Sequence, residues 1–388
     1  MPVLLAIAAA AFMSTVVMRM TDPVVGPLSQ AFGVAPADIA VFATAYAVPY
    51  ALFQLVFGPF GDRYGKTRVI RIALTVLTLT IVASALAPDY RSMLAIRFFS
   101  GMFGGGIIPL GLATIGDRFA LPERQIMLSR FMMGTIAGQI TGSFLTGVLA
   151  EFLDWRTVYL AYAVLSGIIA VALFTMPAVA AGRPEPLTFG GVVRRYAGIV
   201  SSEKARVLLP TVFIEGGIFF GFLSFAPAYL SEMRGLSSGE IGTVIAAYGI
   251  GGMLFGVTAR FFVTRLGTTG MIVGGSLMGG IAIAFLSQPM PLWAYMVQSG
   301  AVGMAFTLIH NNLQTRATEL APQARGSSVA VFACCLFLGN GTGPFLMKQA
   351  VGVVGYVTLF QALALILTVF GIVSALLIRA SERTLPAH

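Results

Sequence analysis

The sequence predicts an all-α membrane protein that crosses the bilayer with about twelve helices. Of its 388 residues, 57% are hydrophobic and only 10% are charged, whereas soluble domains contain about 25% charged residues. Glycine is abundant, with 45 residues, and small residues allow helices to pack closely in a membrane. No ordinary water-exposed surface can be built from this composition, which excludes a soluble enzyme.

Apolar runs long enough to cross a bilayer, which takes ~20 residues, follow one another along the whole chain. The longest polar interruption, 178–206, divides them into two sets of six. We predict a six-helix bundle at 1–180, a cytoplasmic linker at 181–206 and a second six-helix bundle at 207–388. The predicted spans are 3–31, 38–60, 70–88, 91–115, 127–150, 156–177, 207–230, 239–262, 270–287, 291–314, 327–350 and 355–378.

The basic residues predict how the chain is oriented. Loops on the cytoplasmic side of membrane proteins are enriched in Lys and Arg. If both termini are cytoplasmic, only four of the 24 Lys and Arg residues fall in outer segments, namely Arg91, Arg156, Arg234 and Lys348. We therefore expect a multi-pass protein of the plasma (cell inner) membrane with both termini inside. The net charge of +9 belongs to these loops and does not indicate a nucleic-acid partner.

Motifs for catalysis or metal binding are not evident in the sequence. Cys334 and Cys335 are adjacent in an apolar run, and their spacing fits neither a disulfide framework nor a metal site. The chain has no phosphate-binding loop and no nucleophile motif. The amino terminus lacks a basic region and reads as a retained first span. We expect a monomer in the lipid bilayer, without a cofactor or metal.

An internal repeat connects the two halves. Residues 138–145 and 339–346 are identical at five of eight positions and fall in the fifth span of their respective halves. Gln139 in the first copy corresponds to Asn340 in the second. Repeated halves are typical of secondary transporters, which bind their substrate near the midplane of the membrane.

The loop between the second and third spans carries a family signature. Residues 58–68 read Gly-Pro-Phe-Gly-Asp-Arg-Tyr-Gly-Lys-Thr-Arg and resemble the signature of the major facilitator superfamily at this loop. Arg97 followed by Gly101 in the fourth span resembles the drug/proton antiporter branch of that family. That branch has Gly-Pro in the fifth span, where this sequence has Gly138 followed by Gln139. The resemblance extends over essentially the whole chain.

The resemblance implies two helical bundles around a central cavity lined by spans one, four, seven and ten. It also implies that Asp62 contacts the start of the eleventh span, near Gly326 and Ser327, and so closes the cytoplasmic face. The carboxyl end of a helix disfavours a carboxylate by ~0.3–1 kcal/mol, so Asp62 needs basic neighbours. We assign a gating role to Gly58, Asp62, Arg63, Gly65, Lys66 and Arg68.

Three charged residues lie inside the predicted spans of the first half. Arg19 and Asp22 are three residues apart and therefore share one face of the first span. With a rise of 1.5 Å per residue, Asp22 lies ~7 Å and Arg97 ~9 Å outward of their span midpoints. Because unpaired charges are rare at this depth, we expect the three to form one buried cluster that binds protons or substrate.

The second half offers a further polar site. Glu215 in the seventh span and His310 in the tenth are candidates for proton or cation binding. Acidic residues at the outer loops, namely Asp38, Asp89, Asp154 and Glu240, are expected to be solvated or to cap helices. Further candidates for cavity-lining polar residues are Tyr46, Tyr50, Gln54, Gln139, Tyr248, Gln298, Asn311 and Asn340.

The leading functional prediction is secondary active transport of a small organic solute, coupled to protons and directed outward. The arginines leave room for an anionic or zwitterionic substrate, while Asp22 and Glu215 equally permit a cationic drug. Import of a metabolite or organic anion by a facilitator or symporter is the alternative. A membrane-embedded enzyme or sensor, which would have to use Asp22, Glu215 or His310, is a remote third possibility.

Overall fold

The computed structural model describes residues 2–119, 121–177, 189–321 and 325–383, and the secondary structure of these residues is helical. Its elements are α1 (Pro2–Arg19), α2 (Val25–Phe32), α3 (Pro36–Tyr64), α4 (Lys66–Ala85), α5 (Tyr90–Arg118), α6 (Leu121–Ile140), a π-helical turn (Thr141–Leu145), α7 (Thr146–Leu149), α8 (Trp155–Thr175), α9 (Phe189–Val200), α10 (Glu203–Arg234), α11 (Ser238–Leu286), α12 (Leu292–Ala317) and α13 (Arg325–Arg383).

Two of these helices are double. In α11 the backbone leaves helical geometry at Gly267, with φ 61° and ψ −178°, and in α13 it does so at Gly355, with φ 74° and ψ 168°. A positive φ is strained for residues with a Cβ, so glycine is the residue suited to both junctions. Each of these two helices counts as two segments, α1 with α2 counts as one, and α6 with the π turn and α7 counts as one. Without α9, which lies in the predicted linker, the described residues then form the twelve predicted transmembrane segments.

The first predicted span, 3–31, is broken rather than continuous. Helix α1 ends at Arg19, a turn covers 20–24, and α2 begins at Val25. Pro23 explains the break, because proline has no N–H to donate and disfavours helical geometry in the residue before it. Asp22 therefore lies in a turn inside the membrane protein, with its backbone N–H donating to the carbonyl of Arg19 at 3.1 Å.

The predicted linker, 181–206, contains structure of its own. Residues 181–188 lie outside the described part of the chain, and 189–200 form helix α9. The side chains of Tyr196 and Ile199 pack against Leu209 and Val331.

Two of the acidic residues expected in outer loops cap helices, as predicted. Asp89 accepts a hydrogen bond from the backbone N–H of Ser92 at 2.8 Å at the start of α5. Asp154 does the same for Arg156 at 2.9 Å at the start of α8. These carboxylates satisfy N–H groups that have no partner within the helix.

The chain divides into two compact units. The first comprises Met1–Val192 and Leu230–Gly242, and the second comprises Val193–Tyr229 and Thr243–His388.

Within the first unit, helices meet backbone to backbone at glycines. A Cβ placed on Gly101 of α5 would collide with the backbone of Tyr46 on α3, and one on Gly138 of α6 would collide with the carbonyl of Phe12 on α1. The second unit repeats the latter arrangement, because a Cβ on Gly339 of α13 would collide with the carbonyl of Phe213 on α10. The repeated segments therefore perform the same packing task in each unit.

Candidate functional site

Arg19 and Asp22 form a buried ion pair at the break in the first span. The Arg19 Nη1 atom lies 3.4 Å from the Asp22 Oδ2 atom, and both side chains are buried. The turn created by Pro23 places the carboxylate of Asp22 beside the last residue of α1. The ion pair is thus a local consequence of where the helix stops.

Arg97 of α5 completes the cluster in the first unit. Its side chain is 1% exposed, and its Nη1 atom donates to the carbonyl of Val17 at 2.8 Å. Its guanidinium carbon lies 4.6 Å from the centre of the Tyr46 ring, within the range of cation–π attraction. Asp22 interacts electrostatically with both Arg19 and Arg97. The structure thus brings together the three charged residues that the sequence singled out.

Tyrosines enclose this cluster, and sequence analysis identified only some of them. Tyr46 donates to the carbonyl of Ser14 at 3.3 Å and stacks on Tyr50 at a ring distance of 5.8 Å. Tyr159 of α8, which the sequence analysis missed, donates to the hydroxyl of Thr21 at 3.4 Å. The spacing of Tyr159, one helical turn after Trp155, was the available signal, because residues four apart share a helix face.

The charge balance of the cluster limits its chemistry. With Asp22 ionised, two guanidiniums face one carboxylate and leave one positive charge in a buried site. When Asp22 is protonated, the excess rises to two. Since isolated buried charges are costly, proton binding at Asp22 favours the arrival of a negative group or of water. This arrangement is suited to couple protonation to a change in occupancy or conformation.

Glu215 and His310 are brought together in the second unit. The Glu215 Oε2 atom on α10 lies 3.2 Å from the His310 Nδ1 atom on α12. Glu215 is fully buried, and the imidazole of His310 stacks on the ring of Phe306 with centres 4.8 Å apart. Sequence analysis identified the two polar residues but not the aromatic one.

The remaining polar candidates are placed differently. Gln54 is buried, and its Nε2 atom has no hydrogen-bond partner within the described residues. Tyr248 and Asn340 are also buried. Gln139, Gln298 and Asn311 are half-buried. Their roles as cavity residues stay predictions.

The predicted gating loop contains a three-membered ion network. Lys66, the first residue of α4, lies 3.2 Å from Asp62 and 2.5 Å from Asp117 at the end of α5. Asp117 was missed because 51 residues separate it from Lys66 in sequence. Arg63 and Arg68 are exposed, and Gly65 forms the junction between α3 and α4 with φ 90°.

In the described ranges, no group of three or more His, Cys, Asp or Glu side chains is placed to hold a metal ion.

Comparison with protein families identifies the fold. The model of the Major Facilitator Superfamily matches residues 7–344 and, in a second match, 208–388. The chain belongs to the Major Facilitator Superfamily. The prediction made from residues 58–68 and from Arg97 and Gly101 is thereby confirmed.

Similar Major Facilitator Superfamily proteins cover most of the chain. An MFS-type transporter of Bacillus subtilis (strain 168), YceJ, is 27% identical over 90% of this chain and 90% of its own. The multi-drug resistance efflux pump PmrA of Streptococcus pneumoniae serotype 4 is 23% identical over 86% and 85% of the two chains. The crystal structure of a bacterial homolog of the human lysosomal transporter Spinster, inward-facing and unoccupied, superposes with a TM-score of 0.78 at 17% identity, covering 98% and 96%.

Membership of the Major Facilitator Superfamily makes this chain a multi-pass membrane transporter of small molecules.

Proposed function

We propose that this transporter exports a small organic solute across the plasma membrane in exchange for protons, and that Asp22 carries the proton. The observation that supports this most is the buried carboxylate of Asp22, 3.4 Å from Arg19 and electrostatically linked to Arg97. The efflux pump PmrA, which resembles the chain over most of its length, supports the outward direction. We further propose that both termini are cytoplasmic, from the distribution of Lys and Arg.

The coupling follows from the charge balance around Asp22. A substrate whose positive group pairs with the ionised carboxylate of Asp22 favours release of the proton, because an opposite charge stabilises the ionised form. Protonation of Asp22 removes that partner and favours release of the substrate, so that the two cargoes exclude each other. A proton moving down a potential of 100 mV provides ~2.3 kcal/mol, which is available to drive the solute outward.

The network of Asp62, Lys66 and Asp117 is proposed to gate the cytoplasmic side. Lys66 ties the end of α3 to the end of α5 through two carboxylates. All three side chains are at least partly exposed, so the network is worth little in stability. It is therefore suited to form and break during a transport cycle.

Import or facilitated diffusion of an organic anion is the second candidate. The observation that favours it is the excess of two guanidiniums over one carboxylate in the first unit. Counterflow that is insensitive to an imposed proton gradient would support this candidate. An anionic substrate should also bind more weakly after Arg19→Ala than after Asp22→Ala.

Transport in proteoliposomes tests the leading proposal. Ethidium and carboxyfluorescein serve as cationic and anionic probes, with and without an imposed pH gradient. We expect gradient-driven transport of one probe by the wild type and a loss of at least about tenfold in Asp22→Asn, with counterflow retained. Glu123→Gln, which neutralises an exposed carboxylate of the same unit, is the matched control and should transport normally. Normal gradient-driven transport by Asp22→Asn would refute the assignment.

A further inference from the structure

The second unit contains a buried carboxylate that the proposed protonation of Asp22 does not use. Glu215 is 0% exposed, and its Oε1 atom has no hydrogen-bond partner within the described residues. In the described part of the chain, the partner of its Oε2 atom is His310, at 3.2 Å. A buried carboxylate with an unused oxygen is costly unless a positive or donor group approaches it.

The position of Glu215 is fixed by tight backbone packing. A Cβ on the next residue, Gly216, would collide with the carbonyl of Leu336 on α13, and one on Gly343 would collide with Gly217. Helix α10 therefore lies directly against α13 and cannot shift to relieve the buried carboxylate. A partner for the carboxylate must instead come from the side of Glu215 that faces away from α13.

Aromatic rings occupy that side. The imidazole of His310 is nearly parallel to the Phe306 ring, at an interplanar angle of 18° and a distance of 4.8 Å, and lies 5.4 Å from the Phe332 ring. Phe220 and Tyr248 contact Phe306 in turn, at 5.3 Å and 6.3 Å. The faces of aromatic rings attract cations, and they do so more strongly when water is excluded.

We propose that Glu215, His310 and the surrounding aromatic side chains form a binding site for a flat or lipophilic organic cation, in which protonated His310 is an internal competitor for the cation. This proposal names the substrate class of the exporter and rests on the proposed function for its physiological meaning. When protonated, the imidazole of His310 both stacks on Phe306 and pairs with Glu215, and an external aromatic cation can make the same two interactions.

His310 is placed to be displaced. Its side chain is 16% exposed whereas that of Glu215 is 0% exposed, so the imidazole is the accessible member of the pair. Histidine changes charge near neutral pH. The imidazolium form pairs with Glu215, and the neutral ring leaves the carboxylate free for a cation.

Other groups around the pair do not add charge to it. Within the described residues, His310 is the one charged group acting on Glu215. On α11 the ring of Tyr248 contacts Phe306, and on α13 the ring of Phe332 lies 5.4 Å from that of His310. The excess positive charge seen around Asp22 is not repeated here, which favours a cation over an anion.

Equilibrium binding to the full chain in neutral detergent tests the proposal. The probe is tetraphenylphosphonium, whose charge does not depend on pH, and tetraphenylborate is a probe of similar shape and opposite charge. We expect the wild type to bind tetraphenylphosphonium at pH 8 and to prefer it to tetraphenylborate. Glu215→Gln should weaken binding at least about tenfold, since loss of a buried charge partner has large effects. Glu203→Gln, at an exposed position of the same helix, should leave binding unchanged.

Replacement of the histidine gives a result that misfolding cannot imitate. His310→Gln should bind the probe more tightly than the wild type at pH 6, because glutamine carries no charge that competes for Glu215. Equal binding by Glu215→Gln and the wild type, or a preference for tetraphenylborate, would overturn the site. Binding by His310→Gln at pH 6 that is no tighter than that of the wild type would overturn the competition.

The binding experiment tests the cation site independently of the proposed export. Equilibrium binding of tetraphenylphosphonium needs no proton gradient, whereas the loss of transport in Asp22→Asn is measured with an imposed gradient. Binding that is lost in Glu215→Gln would stand even if transport proved independent of the proton gradient.

Discussion

Arg97 has a role that depends on the shape of its side chain as well as on its charge. One nitrogen donates to the carbonyl of Val17 while the guanidinium plane faces Tyr46. A lysine ammonium cannot both stack on the ring and reach the carbonyl with the same geometry.

We predict that Arg97→Ala abolishes transport and lowers the free energy of unfolding by about 1–3 kcal/mol, because it removes the side-chain donor to the buried carbonyl of Val17. Arg97→Lys should retain part of the stability but still lose most of the transport activity. Thermal unfolding in detergent and proteoliposome transport measure the two effects. Equal transport by the wild type and Arg97→Lys would show that charge alone is sufficient.

Asp89 provides a pH-dependent cap outside the membrane-spanning segments. The hydrogen bond from the Ser92 backbone N–H, together with that from the Ser92 hydroxyl, lowers the pKa of Asp89 below its ordinary value of 3.8. A lowered pKa means that the ionised form stabilises the fold at pH values above 3.8. This contribution is lost as the pH falls through the lower pKa of the folded protein.

We therefore expect the difference in melting temperature between the wild type and Asp89→Ala to be greatest above pH 4 and to shrink as the pH falls further. Asp89→Asn is the matched control, since asparagine also caps helices but has no charge to lose. Its advantage over Asp89→Ala should be the same at every pH. A wild-type advantage that persists unchanged at pH 2.5 would contradict this assignment.

At the scale of helices, close contacts at glycine hold the charged side chains in position. Gly101 of α5 lies against the backbone of Tyr46 on α3, one turn from Arg97. A methyl group at Gly101 would push α3 away from α5 and withdraw the Tyr46 ring from the guanidinium.

Gly101→Ala should therefore destabilise the protein by about 1–3 kcal/mol, the usual cost of overpacking. Gly116→Ala is the control on the same helix, because a Cβ at Gly116 meets nothing within 4 Å. This second change should be neutral or slightly stabilising, since alanine favours helix. Melting temperatures of the two variants provide the comparison, and equal values would argue against the tight contact.

The sequence predicted the helices better than their interruptions and contacts. Apolar runs define the twelve segments because lipid cannot hydrogen-bond to backbone groups, so a chain crosses it as apolar helices. Charged residues within these runs were visible as exceptions. Pro23 was a sequence signal for the break after Arg19. The apolar residues around it nevertheless made the segment resemble one continuous span. Asp117 could not be found, because it meets Lys66 only through tertiary packing of distant segments. Phe306 was missed although it lies one helical turn before His310, a spacing that places both residues on one helix face.

For the whole molecule, the two units share a packing plan and differ in their buried charges. The repeated glycine segment packs on the first long helix of each unit, at Phe12 in one and Phe213 in the other. The first unit buries two arginines with one aspartate, and the second buries a glutamate paired with a histidine. Duplication thus accounts for the architecture, while divergence of single polar residues gives each unit its own chemistry.

The orientation of the chain is testable with reporters. Because Lys and Arg are concentrated in the proposed cytoplasmic loops, alkaline phosphatase fused after Leu236 should be active, and the same enzyme fused after His388 should be inactive. Green fluorescent protein at the same two positions should give the opposite pattern. Active phosphatase after His388 would show that the proposed orientation of the carboxyl terminus is wrong.

The two double helices are each interrupted at a single glycine, Gly267 in one and Gly355 in the other. No further residues separate the two arms. During synthesis, the arms of each double helix are therefore expected to leave the ribosome in immediate succession and to insert as a pair.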